Sequence, residues 1–256
     1  LLSMAVSPQG DIGLLDSSSG RVHVLSATGT LRFSTPAELP GVEPLLKPQG
    51  LAFGDDGEIF VADTGNQRVV QFTPRGEVRL LGQAGIFSGQ FTLPTALVWS
   101  DGYLYVLDSA LCRVNLFAPD GTFVASTGGR GTHPGRFRLP TSLAIDETGQ
   151  LLVIDSLLPG VTRFDSQLTL LQASRLETGT SGFPLSRAAV VGNGLTFYLS
   201  KQRQELLVFF ENTFIALLQP SSLNLADVFW TDICARENRL YLLDARRARV
   251  DLFELE

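Results

Sequence analysis

Residues 50–72 read Gly50-Leu-Ala-Phe-Gly-Asp-Asp-Gly-Glu-Ile-Phe-Val-Ala-Asp63-Thr-Gly-Asn-Gln-Arg68-Val-Val-Gln-Phe72, and Arg75-Gly76 follows. Three short apolar runs are separated by an Asp-Gly turn and by a loop of four residues after Asp63. Runs this short, rich in β-branched and aromatic residues and bounded by Asp-Gly, predict strands joined by tight turns. The same phrase recurs outward in both directions. Upstream it is Ile12-Gly-Leu-Leu-Asp16 with Arg21-Val-His-Val-Leu25. Downstream come Leu104-Tyr-Val-Leu-Asp108 with Arg113-Val-Asn-Leu-Phe117, and Leu240-Tyr-Leu-Leu-Asp244 with Arg249-Val-Asp-Leu-Phe253.

Two copies are worn. The fourth keeps Leu151-Leu-Val-Ile-Asp155 and Phe164 but has Gly160 in place of the Arg. The fifth has Ser200 and Glu205 at the Asp and Arg positions, with Phe209 in register. The markers fall at 16, 63, 108, 155, 200 and 244, with spacings of 47, 45, 47, 45 and 44. A repeat of four strands at this period is a propeller blade, and radial closure leaves only short sheet edges exposed. The expectation is an all-β, six-bladed β-propeller of four-stranded blades, forming one domain over 1–256. Strand assignment starts at Leu2–Val6 and ends at Arg249–Phe253, so the sixth blade is expected to show three strands, a partner or a further segment supplying the fourth. The repeated Asp16, Asp63, Asp108, Asp155 and Asp244 read as structural acceptors for N–H groups of the following loop. Arg21, Arg68, Arg113 and Arg249 read as their partners or as ties to a neighbouring blade.

Gly82-Gln-Ala-Gly-Ile-Phe-Ser-Gly-Gln-Phe-Thr-Leu-Pro94 and Gly128-Gly-Arg-Gly-Thr-His-Pro-Gly-Arg-Phe-Arg-Leu-Pro140 resemble the connectors between blades of NHL-repeat proteins. Asp63-Thr-Gly-Asn-Gln-Arg-Val69 resembles their inner loop. The resemblance covers nearly the whole chain and implies the fold. It implies little about function, because the family includes RNA readers, protein-binding scaffolds and a peptide-amidating lyase. It also implies a periplasmic or extracellular setting, as for many bacterial relatives.

Composition narrows the function classes. The chain is 44% hydrophobic and 18% charged, with a net charge of −6, and it carries two lysines, Lys47 and Lys201. A phosphate backbone is held by clustered Lys and Arg, so nucleic acid is not an expected partner. The short groups Arg130, Arg136, Arg138 and Arg246, Arg247, Arg249 read as solvated charges. Apolar runs such as Leu206–Phe210 stop far short of the roughly 20 residues of a membrane-spanning helix. A zinc lyase would want several imidazoles at one ion, and only His23 and His133 occur. No cofactor and no metal are expected. Cys112 and Cys234 are too few for a disulfide framework; Cys234 reads as a core residue and Cys112 as an accessible thiol.

By register with Gln49-Gly50, the channel ends of the innermost strands are Leu2-Ser3, Thr95-Ala96, Thr141-Ser142, Ser186-Arg187 and Thr231-Asp232. The set is small and hydroxylic, with one lone Arg and one lone Asp. It holds no carboxylate pair for acid–base chemistry. The worn blades are instead unusually apolar. Leu157, Leu158, Phe210, Phe214, Leu218, Phe229 and Trp230 mark a candidate partner interface on blades four to six, since contiguous exposed apolar patches mark contacts. The expected function is a protein-binding scaffold with other protein subunits as partners. A propeller lyase or lactonase acting at the channel is the alternative, and RNA binding the outsider.

Overall fold

In the hairpin that joins residues 94–100 to 103–108, Asp101 and Gly102 both take positive φ, 51° and 79°. That pair of angles matches the right-handed twist of the flanking strands, so the turn sets the register Ser100↔Tyr103. Repetition of this device gives an all-β molecule. The computed structural model describes residues 3–39, 41–158, 160–175, 185–191, 194–210, 213–223, 225 and 227–255; Leu2, among the channel positions above, lies outside them.

The first sheet is β1 (Ser3–Val6), β2 (Ile12–Asp16), β3 (Arg21–Leu25) and β4 (Leu31–Ser34). The second is β5 (Gly50–Phe53), β6 (Ile59–Asp63), β7 (Arg68–Phe72) and β8 (Val78–Leu81). A connector then forms a short parallel pair, β9 (Gln83–Ala84) with β10 (Gln90–Phe91). The third sheet is β11 (Pro94–Ser100), β12 (Tyr103–Asp108), β13 (Arg113–Phe117) and β14 (Phe123–Gly128). The fourth is β15 (Pro140–Ile145), β16 (Leu151–Asp155), β17 (Gly160–Phe164) and β18 (Leu170–Arg175). The fifth is β19 (Arg187–Val191), β20 (Leu195–Ser200), β21 (Glu205–Phe210) and β22 (Thr213–Leu218). The sixth is β23 (Asp232–Arg236), β24 (Arg239–Asp244) and β25 (Arg249–Glu254), three strands among the described residues.

Every one of these six sheets is a meander in which each strand pairs antiparallel with its chain neighbour. The fold is a six-bladed β-propeller, with a last blade of three strands. The chain forms two compact units, Leu1–Gly128 and Gly129–Glu256, which carry three blades each.

Within each unit the blades pack face to face through apolar side chains. In the first, Leu51, Val61 and Val70 meet Leu15, Val22 and Val24, while Phe60 stacks on Trp99 with ring centroids 5.1 Å apart. In the second, Val191, Phe197 and Leu206 meet Ile233, Leu242 and Trp230. The innermost strands approach closely. A Cβ on Gly50 would stand 2.8 Å from the Thr95 carbonyl oxygen, so this position in β5 admits only glycine without a backbone shift.

Candidate functional site

The repeated Asp does more than turn its own loop. Asp108 accepts the Leu111 N–H of its loop at 2.8 Å and also the Thr92 and Leu93 N–H groups of the connector, at 2.6 and 3.1 Å. Asp155 likewise accepts Leu157 and Leu158 locally, and Arg138 and Leu139 from its connector. Asp63 takes the Leu46 N–H, and Asp244 the Phe229 N–H. These four carboxylates are buried, and charge-assisted bonds to several amides hold them there. Asp16 differs: it is half-buried and, among the described residues, accepts from Ser18 and Ser19 alone. In the fifth blade Ser200 replaces the Asp, and its buried hydroxyl has no partner among the described residues.

The Arg positions diverge further. Arg68 pairs with Asp63 at 2.8 Å, whereas Arg249 pairs with Asp251 instead of Asp244, and Arg21 is exposed. Arg113 turns to the preceding connector. Its Nη1 donates to the Ile86 carbonyl at 3.1 Å, and its Nη2 to the Phe87 and Gln90 carbonyls at 2.7 and 3.2 Å. The Gln90 side chain accepts the Phe87 N–H at 3.1 Å, and Asn115 donates to the Gln90 carbonyl at 3.4 Å. With Phe91 buried as an anchor, the backbone of 85–91 is braced from three sides. The side chains at its tip point the other way: Ile86 is 66% and Phe87 73% exposed. The sequence reading placed the candidate interface on other blades and missed this tip. The signal was present in the quoted connector, where Ile86-Phe87 stands in the place of Thr132-His133.

The expected interface residues fall into three groups. Leu157, Phe210 and Phe214 are exposed, with Phe214 edge-on to Phe209 at 5.5 Å. Leu158 and Leu218 are half-buried, as is Phe229, which lies under the Arg246 guanidinium at 3.6 Å. Trp230 is a correction. It is 0% exposed, because its indole fills the contact between the fifth and sixth blades and so cannot meet a partner. Cys112 is corrected too: it is buried, with its Sγ toward the Ser109 carbonyl at 3.7 Å. Neither cysteine forms a disulfide among the described residues. Burial, with Asp232 adding to it, raises the Cys234 thiol well above its ordinary range.

Of the channel-end residues, Gln49 and Thr95 are half-buried in the first unit, and the Thr95 hydroxyl bonds Ser109 at 2.5 Å. Thr141, Arg187, Thr231 and Asp232 belong to the second unit, where the structure joins three of them. Arg187 and Asp232 are not lone charges but an ion pair, Nε to Oδ1 at 3.0 Å. Arg187 Nη1 also donates to the Thr141 carbonyl at 2.8 Å and to the Ser186 carbonyl at 3.2 Å. One guanidinium therefore ties β15, β19 and β23. Lys201, half-buried in the loop after β20, lies within electrostatic reach of both charges.

Neither histidine sits on an innermost strand. His23 lies in β3 with Nδ1 at 2.7 Å from the Ser34 hydroxyl, and His133 is exposed in its connector. Among the described residues no three His, Cys, Asp or Glu side chains gather as a metal-holding set. No helix is long and apolar enough to cross a membrane among those residues.

A model of the NHL repeat matches residues 45–72, the stretch around the Asp63 loop. No curated protein matches the chain. Virginiamycin B lyase from Staphylococcus aureus, solved as a catalytically inactive histidine-to-alanine variant with quinupristin, is similar in structure. Its TM-score is 0.72 at 11% identity over 99% of this chain and 80% of that one. Hydrazine synthase from Kuenenia stuttgartiensis gives 0.67 at 9% identity, over 99% of this chain and 95% of that one. A chain of a nidogen/laminin complex gives 0.65 at 18% identity, over 86% and 80%. At these identities the likeness is one of fold.

Proposed function

We propose that this propeller is a non-catalytic protein-binding module whose principal contact is the braced Ile86–Phe87 tip. The observation that supports it is the conjunction of a fixed backbone with two large exposed apolar side chains. A loop held by Arg113, Gln90 and Asn115 loses little conformational freedom on binding, and burial of an exposed aromatic and its aliphatic neighbour supplies the kind of anchor that dominates interfaces. The matching occupant is an apolar pocket on another protein, with room for one aromatic ring. The exposed Leu157, Phe210 and Phe214 add area in a larger assembly.

The test places a photo-crosslinking amino acid at position 87, and separately at 133, in the protein within its source cell. One discrete adduct from position 87, absent from 133 and lost when Ile86 is changed to Ser, is the expected result. Equal, diffuse labelling from both positions overturns the reading. The native mass of the gently purified protein gives a second readout: a complex larger than the 27.7 kDa chain, dissociated by Phe87→Ser.

A further inference from the structure

The sixth blade ends on a strand that the other blades cover. In each of the first five sheets the third strand lies between two neighbours, the second strand and the fourth. In the sixth, β25 pairs with β24 alone among the described residues. The consequence shows at one side chain. Counted from the Arg position, Leu252 corresponds to Val24, Gln71, Leu116 and Val208 of the first, second, third and fifth blades. Those four are 2%, 4%, 0% and 5% exposed, whereas Leu252 is 47% exposed.

The backbone of β25 has a defined outward side. The Leu255 N–H donates to the Asn238 carbonyl at 2.8 Å, in register with the pair Arg239↔Glu254. In an antiparallel pair, alternate residues turn both main-chain groups toward the same neighbour. Residues 249, 251 and 253 therefore bond β24 as Leu255 does, and Val250, Leu252 and Glu254 turn their N–H and C=O outward. The first blade shows what such a position holds. Val22, the counterpart of Val250, accepts the Thr35 N–H at 2.9 Å and donates its own N–H to the Thr35 hydroxyl at 2.9 Å.

An edge of this kind takes a strand, and main-chain bonds supply the affinity. The sequence of β25 suits a second copy of itself. Two copies can lie antiparallel about a two-fold axis, with Leu252 facing Leu252 and Val250 facing Glu254 of the second copy. In this register alone all three outward residues meet outward residues, giving about six main-chain bonds. Two exposed apolar side chains then meet at the axis, and no like charges stand opposite each other. Arg249 is already paired with Asp251, and Glu254 with Arg239 at 2.9 Å. Sliding one copy by two residues, so that Val250 faces Leu252, sets Asp251 against its own copy, and like charges directly opposite are unfavourable.

We propose that two copies of this protein associate through β25, joining their three-stranded sixth blades into one continuous antiparallel sheet across a two-fold axis at Leu252.

Cysteines placed one at a time in the full protein test both the contact and its register. Directly opposed, hydrogen-bonded residues have Cα atoms about 5.5 Å apart, within disulfide range. Leu252→Cys is therefore expected to give a covalent dimer under mild oxidation. Leu80→Cys, on β8 and also 47% exposed in the parent residue, measures random collision. Val250→Cys and Glu254→Cys should each stay at that background, since each lies four residues, about 13 Å, from its own copy. Mixed together, they should link. In sedimentation the wild-type protein is expected to rise above 27.7 kDa as its concentration increases to the 100 μM range typical of weak contacts. Leu252→Pro removes an outward N–H where an edge strand tolerates proline, so it should hold the monomer mass and keep the thermal unfolding midpoint. Phe87→Ser should leave the dimer intact, which separates this contact from the one at the tip. Linking at 252 no stronger than at 80 overturns the proposal, and it is also the result expected if any other strand fills the edge. A wild-type protein that stays monomeric throughout, or self-linking at 250 or 254 equal to that at 252, overturns it as well.

Discussion

Connector 82–94 and connector 128–140 follow the same backbone plan but end in different surfaces. In the first, Gly85 N–H donates to the Phe91 carbonyl at 2.9 Å and Gln90 N–H to the Phe87 carbonyl at 3.0 Å. In the second, Gly131 N–H donates to Phe137 at 2.9 Å and Arg136 N–H to His133 at 2.9 Å. Both loops close through a parallel contact, Ala84 with Phe91 and Arg130 with Phe137, and both bury that Phe. Both are latched by the Asp of the blade they enter. The difference lies at the tip, Ile86-Phe87 against Thr132-His133, and in the third strand behind it. Arg113 braces the first tip, and the corresponding position in the fourth blade is Gly160. The glycines, the buried Phe and the Asp build the loop, which leaves the tip free to vary without cost to the fold.

Four changes test how far that parallel extends. The largest effect is expected from the latches. Asp108→Ala and Asp155→Ala each remove the buried carboxylate that several part-buried connector N–H groups share, and each should cost about 3 kcal/mol in urea unfolding. Similar losses support one plan; a marked inequality breaks it. Next, Arg113→Met removes three bonds to connector carbonyls, and a loss of about 1–3 kcal/mol is expected, with faster amide exchange confined to 86–90. Third, Thr132→Ile with His133→Phe transplants the tip. Stability should stay within about 0.5 kcal/mol, and a crosslinker at 133 should then capture the partner that position 87 captures. If it captures nothing, the brace from Arg113 is as necessary as the side chains.

The smallest effect is expected at Asp16, whose bonds among the described residues go to Ser18 and Ser19 of its own loop. The Ser18 hydroxyl, helped by that of Ser19 and opposed by burial, keeps the Asp16 carboxyl well below the usual carboxylate range. A carboxyl depressed in the folded state contributes stability above its unfolded range, and that contribution fades as pH falls through the folded one. Asp16→Asn should therefore cost under about 1 kcal/mol near neutrality, after allowance for solvent screening, and flatten the acid limb of the stability curve slightly.

The repeat was legible because each blade needs the same acceptor at the same place, and a carboxylate five residues before Arg-Val leaves a period that eye and spacing both detect. What the Asp does at longer range was not legible. Its bonds to Thr92 and Leu93, or to Arg138 and Leu139, join residues 15 to 17 positions apart that carry no side-chain signature, since the donors are backbone amides. Trp230 misled because a bulky apolar residue in a connector looks the same whether it faces solvent or plugs a blade contact. Arg187 and Asp232 looked solitary because they are 45 positions apart, one repeat, and only the packing of β19 against β23 makes them neighbours. The Ile86–Phe87 tip was readable in principle by alignment of the two connectors, but apolar letters inside a β-rich chain give no hint of which way they point.

The meander order of the sheets bears on how the chain is made. Each strand pairs with the one just synthesised, so closing a hairpin such as Asp63↔Arg68 involves only a short loop and little entropy. Hairpins form in microseconds. The first sheet is complete at Ser34, before β5 begins at Gly50. A ribosome adds residues thousands of times more slowly than a hairpin closes, so each blade can zip as it emerges and present a finished face on which the next is templated.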